Sequence, residues 1–225
     1  MGPFGPKKER NSNMNNSLKI KKMVGIATLS AIVIVLQLIS NYVTIGTISI
    51  TLALIPIAMG AVLYGPLAGL ILGSVMGVIV LTAPSTQGFI AFNVWYTIIL
   101  CILKSGLGGL AAGFVYKGVI HIKALKQAKF SVAVILACIV VPIINTGIFI
   151  LGTTTLFKDF ITGTQGADFS LAFTTTISIV FTINFAIEFP LSCILSPGFV
   201  YLGRILGDRF DLGFSKDFKD NAYLE

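Results

Sequence analysis

The sixteen Lys and Arg residues of this chain gather on what reads as one side of a series of apolar segments. The N-terminal stretch holds Lys7, Lys8, Arg10, Lys19, Lys21 and Lys22. A central segment holds Lys117, Lys123, Lys126 and Lys129, and the C-terminal stretch holds Arg204, Arg209, Lys216 and Lys219. Only Lys104 and Lys158 lie elsewhere. Loops kept on the cytoplasmic side of a membrane collect Lys and Arg beside helix ends. The pattern therefore places both termini and the central segment in the cytoplasm, which requires an even number of crossings. The net charge of +7 is then a topology signal, and no nucleic-acid partner is expected.

Composition agrees: 55% of residues are hydrophobic and 11% charged, where soluble domains carry about 25% charged residues. A span needs roughly 20 apolar residues. Six candidates are read at 23–43, 51–64, 67–82, 91–116, 131–151 and 170–202. The second is short and holds Pro56; the sixth is interrupted by Pro190 and Pro197. Loops near 44–50, 83–90 and 152–169 then face outside and are nearly free of Lys and Arg. Backbone polar groups in hydrocarbon must pair internally, so helices are expected, and no alternating segments point to a barrel. The fold class is an all-α integral membrane protein of the plasma membrane with six transmembrane helices and both termini cytoplasmic. Residues 1–22 are expected as a disordered basic tail, 23–203 as the membrane domain and 204–225 as a cytoplasmic C-terminal tail. An apolar segment beginning only after residue 22 does not fit a cleavable signal peptide.

Small residues mark where helices touch. Gly69, Gly73 and Gly77 form a stripe on the third segment, and Gly109 and Gly113 a shorter one on the fourth. Lipid gives no hydrophobic drive to association, so close contact through such residues supplies packing energy between spans. Ala27 and Ala31 share one face near the basic end of the first segment, within reach of a cytoplasmic partner. Cys101, Cys138 and Cys193 all lie in apolar runs and read as small buried hydrophobes, not as disulfide partners.

The alanine pair, the six-span count and the segment LIPIAMGAVLYGPLAG at 54–69 together resemble the substrate-binding S components of energy-coupling factor (ECF) vitamin transporters. The similarity runs through about 23–203. It implies a subunit of an ABC transporter complex that captures a vitamin from outside and associates with a transmembrane T subunit and two cytoplasmic ATPases. It also implies that Ala27 and Ala31 contact the T subunit, and that the S component topples in the membrane to carry substrate inward. No cofactor is expected in this chain, and ATP is used by the partner ATPases.

With those loops outside, the pocket is expected beneath them. Polar residues at that depth are costly in lipid and face a cavity or a partner. Asn93, Tyr96, Asn145, Phe149, Asn184, Asn41 and Thr44 are the substrate-binding candidates. An amide offers both donors and an acceptor, and aromatic rings exclude water. Asn145 leads because Pro142 disturbs the helical ladder beside it. Interhelical hydrogen bonding is an equal alternative for each amide, and an aromatic-belt role is one for Trp95 and Tyr96. Lys104 and Glu188, at similar depths, are expected to form a buried ion pair, since each charge alone is expensive. On that reading, Lys104→Met destabilises the protein before it alters specificity.

No catalytic or metal site is legible. The single histidine, His121, lies in the basic central segment. No G-x-x-x-x-G-K-[ST] sequence occurs, and Gly73-Ser74 lacks the spacing of a nucleophile elbow. An amide-, threonine- and aromatic-lined pocket favours pantothenate, whose carboxylate would need Lys104, Lys158 or a helix N-terminus. Riboflavin, a thiamine precursor, folate and cobalamin stay open. The competing reading is a stand-alone carrier or channel for a small polar metabolite, which needs no partner at Ala27 and Ala31.

Overall fold

The computed structural model describes residues 7–42, 44–45, 48–49, 51–122, 129–160 and 186–209. Seven α-helices are described: α1 (Lys7–Tyr42), α2 (Leu54–Tyr64), α3 (Pro66–Val80), α4 (Gln87–Phe92), α5 (Val94–Ile120), α6 (Lys129–Leu156) and α7 (Ala186–Arg209). An antiparallel pair of two-residue strands, β1 (Thr44–Ile45) and β2 (Ile48–Ser49), follows α1, pairing Thr44 with Ser49 and Ile45 with Ile48. A 3-10 turn, Pro84–Thr86, precedes α4.

Three of these helices are long and apolar enough to cross a membrane: residues Asn16–Tyr42 of α1, then α5 and α6. At 1.5 Å per residue the 27-residue stretch Asn16–Tyr42 of α1 reaches about 40 Å. The second expected span holds a helix shorter than a full crossing: α2 has 11 residues, about 16 Å, and is buried on nearly every face. A helix apolar all round lies inside protein or in hydrocarbon. Pro56 sits in its first turn, where the missing N–H has no helical partner to lose. The third span also differs: α3 and the Pro84–Phe92 segment are bent by 80° at the intervening break, so α4 folds across the end of the bundle. The sixth expected span begins among residues outside those described, and α7 carries it onward to Arg209.

Two further boundaries differ. Helix α1 begins at Lys7, so most of the expected disordered tail is helical, in keeping with the helix-forming Lys, Glu and Arg at its start. The segment expected as loop up to residue 90 contains α4, and the following span starts at Val94.

Gly65 joins α2 to α3 at φ 97°, a left-handed conformation open to glycine and strained for other residues, and Pro66 opens α3. The glycine stripes then do what their spacing implies. A Cβ at Gly69 would collide with the Gly109 backbone, one at Gly73 with Ser105, and one at Gly77 would lie 2.8 Å from Ile102 Cα. Helices α3 and α5 therefore touch backbone to backbone, and Gly113 meets Pro66 in the same way.

These contacts set the ends of the bundle. At one end Asn41 reaches Ile79 and Thr82, the Thr51 N–H reaches Glu188, and Tyr96 meets Phe157. At the other, Tyr64 packs on Gly25 and Tyr116 on Phe130. Lys21, Lys22, Lys117 and Lys129 lie within a turn of these contacts along α1, α5 and α6. Exposed apolar side chains such as Val35, Ile71, Phe114 and Leu151 cover the flanks between the ends.

Candidate functional site

The contact between α5 and α6 fixes the site. Leu100 lies against Gly152, Lys104 against Phe149, and Gly108 against Val141 and Asn145. Along α6, Asn145 and Phe149 are four residues apart and share a face. The Lys104 ammonium lies 4.6 Å from the centre of the Phe149 ring, where the negative face of the π-system attracts it. Phe149 in turn meets Phe89 of α4 edge-on, with centroids 5.9 Å apart. Phe89 packs on Phe157 at 5.1 Å and Phe160 at 5.3 Å, and Phe92 and Tyr96 close the cluster. An aromatic roof contributed by α4, the start of α5 and the end of α6 thus sits above a single cation.

Beside it lie buried polar atoms that the protein leaves open. Asn145 Oδ1, Glu188 Oε2, Gln37 Oε1 and Ser105 Oγ have no hydrogen-bond partner among the described residues, and their side chains are 6%, 2%, 2% and 0% exposed. Three of the four atoms are pure acceptors. A buried acceptor without a donor forfeits hydration and gains nothing in return, so such atoms in a native fold need an occupant or a reason.

The expected ion pair is not made. Glu188 Oε1 accepts from the Thr51 N–H at 3.2 Å, Oε2 is open, and the Lys104 ammonium is engaged by Phe149. Lys104 is close enough for its charge to act on Glu188, yet each group has taken a different neighbour. The reason is local: the turn entering α2 offers Glu188 a backbone donor, and the α6 ring offers Lys104 a π-face.

The other candidates divide. Asn41 is committed to the fold: it accepts from Gln37 Nε2 at 2.9 Å and donates to Thr82 Oγ1 at 3.1 Å and Ile79 O at 3.4 Å. Asn93 caps α5, its Oδ1 accepting from the Tyr96 N–H at 3.1 Å. Tyr96 belongs to the roof through Phe157, while Trp95 points away at 74% exposed. Thr44 lies in β1, and Asn184 lies outside the described residues. Ala27 and Ala31 are both exposed on α1.

Sequence reasoning missed Gln37, Thr51, Phe89, Phe157 and Phe160. Gln37 carried a signal, as an amide inside the run Val33–Leu38. The phenylalanines carried a weaker one, in their three-residue spacings Phe89/Phe92 and Phe157/Phe160. Thr51 approaches Glu188 with both its backbone N–H and its side chain and carried no signal. Among the described residues no three His, Cys, Asp or Glu side chains group as a metal site, and the three cysteines are free.

A half-buried cation against an aromatic cluster, open acceptors and a glycine-packed apolar bundle describe a membrane protein with a polar interior. The family model for the ECF transporter substrate-specific component matches residues 21–200. The chain belongs to this family. It is a multi-pass membrane protein and a substrate-binding transporter component, not an enzyme. No curated protein and no solved structure matches it. The match covers every element from the apolar part of α1 into α7, so the whole site of this S component lies within the shared region.

Proposed function

We propose that this S component captures a vitamin at the end of the bundle that carries the hairpin and α4, with pantothenate the favoured substrate. The observation that carries this reading is the Lys104 ammonium, held under the aromatic roof with no hydrogen-bond acceptor among the described residues. A cation in an apolar span is expensive, and an anionic ligand group offsets that cost. Pantothenate supplies a carboxylate for Lys104, and its amide and hydroxyl hydrogens suit acceptors such as Asn145 Oδ1. Phe149, Phe89 and Tyr96 shield that ionic contact from water, which strengthens it.

The basic end faces the cytoplasm on this reading, following the charge rule. Ala27 and Ala31, exposed toward that end, form the surface for the T subunit, and two ATPases supply the energy. Delivery occurs by toppling of the S component within that complex, in the plasma membrane.

The test is equilibrium binding of a vitamin panel to the purified chain without ATPases. Saturable binding of pantothenate supports the reading as stated. Binding of riboflavin or another vitamin keeps the capture role and replaces the substrate. No binding by a demonstrably folded protein counts against capture by the isolated chain and favours a partner-independent carrier.

A further inference from the structure

Glu188 is 2% exposed, and its two oxygens have different fates. Oε1 accepts from the Thr51 N–H, while Oε2 has no partner. Burying a carboxylate oxygen without a donor costs more than a neutral hydrogen bond returns, and Lys104, the nearby cation, is turned to Phe149 instead. The two opposite charges therefore share a region without a hydrogen bond between them, and Glu188 Oε2 has an open valence among the described residues. A carboxylate only accepts, so whatever completes Glu188 brings an O–H or N–H donor. An ammonium only donates, so whatever completes Lys104 brings an anion or a carbonyl.

We infer that Glu188 is a specificity-determining residue whose Oε2 accepts a hydrogen from a hydroxyl group of the captured ligand, while Lys104 takes the ligand's anionic group. The inference rests on the capture reading above and narrows it to ligands that carry a donor and an anion at separate positions. The Thr51 N–H makes the assignment unusually testable. It needs an acceptor, so a carboxamide at position 188 turns its oxygen to Thr51 and presents its NH₂ to the ligand. Glu188→Gln thus exchanges an acceptor for a donor at one atom, with little change of shape.

The probes are pantothenate and its two analogues in which fluorine replaces one hydroxyl at a time, keeping size but removing the donor. The wild-type chain is expected to bind at least one fluoro analogue about tenfold or more weakly than pantothenate, the scale of a hydrogen bond to a charged group. In Glu188→Gln that preference falls to about threefold or less, because no charged acceptor takes the hydroxyl hydrogen and only a neutral amide N–H meets the hydroxyl oxygen. A merely structural role for Glu188 weakens both ligands together and leaves their ratio intact. An unchanged ratio in Glu188→Gln, or no preference in the wild type, overturns the inference and leaves the capture reading standing. If Glu188→Gln does not hold its fold, Glu188→Asp gives the same ratio test, since the shorter carboxylate cannot reach Thr51 and the ligand together. Should another panel vitamin bind in place of pantothenate, its own fluoro analogue decides by the same ratio. A folded chain that binds nothing in the panel removes the capture reading and this inference with it.

Discussion

Replacing Gly73 by alanine tests the backbone contact on which the architecture depends. A Cβ there would collide with the Ser105 carbonyl and lie 2.9 Å from Gly106 Cα, where ordinary contact begins at 3.4 Å. Helix α5 must retreat by about 0.5 Å to clear Gly106 and further to clear Ser105, and gaps of roughly 0.5–1 Å forfeit a quarter to a half of each dispersion contact. Overpacking of this kind costs about 1–3 kcal/mol, against a gain of about 1 kcal/mol in helix propensity from Gly to Ala. The expected net loss is up to about 2 kcal/mol, and about 1–3 kcal/mol relative to a Gly-to-Ala change with open space around it. Gly118→Ala and Gly147→Ala are the controls, because a Cβ at either meets nothing within 4 Å. Both should be neutral or stabilising by up to about 1 kcal/mol. The assay is unfolding of the purified chain in detergent micelles, read by circular dichroism, with Gly73→Ala melting several degrees below both controls. Equal stability of Gly73→Ala and Gly118→Ala would refute the backbone-to-backbone packing of α3 on α5.

The remaining predictions concern single side chains. Asn41→Leu leaves Gln37 Nε2 and Thr82 Oγ1 without this partner and is expected to lower stability by about 1–3 kcal/mol. Vitamin affinity in the surviving folded protein should hold, and selective loss of binding at unchanged melting would return Asn41 to the pocket. Asn93→Ala removes the cap of α5 and should cost about 1 kcal/mol in the same assay. Lys104→Met is expected to weaken binding of an anionic vitamin about tenfold or more while melting stays level, since no ion pair is broken. A drop in melting with affinity preserved would reinstate the structural pair. Ala27→Trp and Ala31→Trp, at exposed positions, should leave purified-chain binding intact and abolish uptake in cells. Uptake that survives both would favour a carrier without partners.

Class was legible early because it rests on composition. Long apolar runs and few charges restrict a chain to helices in lipid, whatever the side chains do next. The glycine stripes were legible for a related reason: four-residue spacing on a helix specifies one face, and only a backbone contact rewards so many missing side chains. Span count was less legible. Hydropathy gives the same signal for α2, packed among other helices, as for a helix in lipid, so it does not report how short and enclosed this 11-residue helix is. The fold-back of α4 was hidden as well, because Pro84, Gln87 and Gly88 read as a loop and only Ala91 and Phe92 as the start of the next span.

The amides show the limit most clearly. Asn41, Asn93 and Asn145 carry the same chemistry at similar depths, and nothing local separates a helix clamp, a cap and an open acceptor. The fold assigned them by what lies opposite: Thr82 and Ile79 for Asn41, the Tyr96 N–H for Asn93, and no donor for Asn145 Oδ1. The sequence by itself determined that this chain lives in a membrane and where two helices meet without side chains between them. Only the tertiary structure decided which charges pair. Glu188 bonds to a backbone N–H 137 residues away, and Lys104 settles on a ring of the neighbouring helix. A charge takes the nearest favourable neighbour in space, and spacing along the chain does not encode that distance.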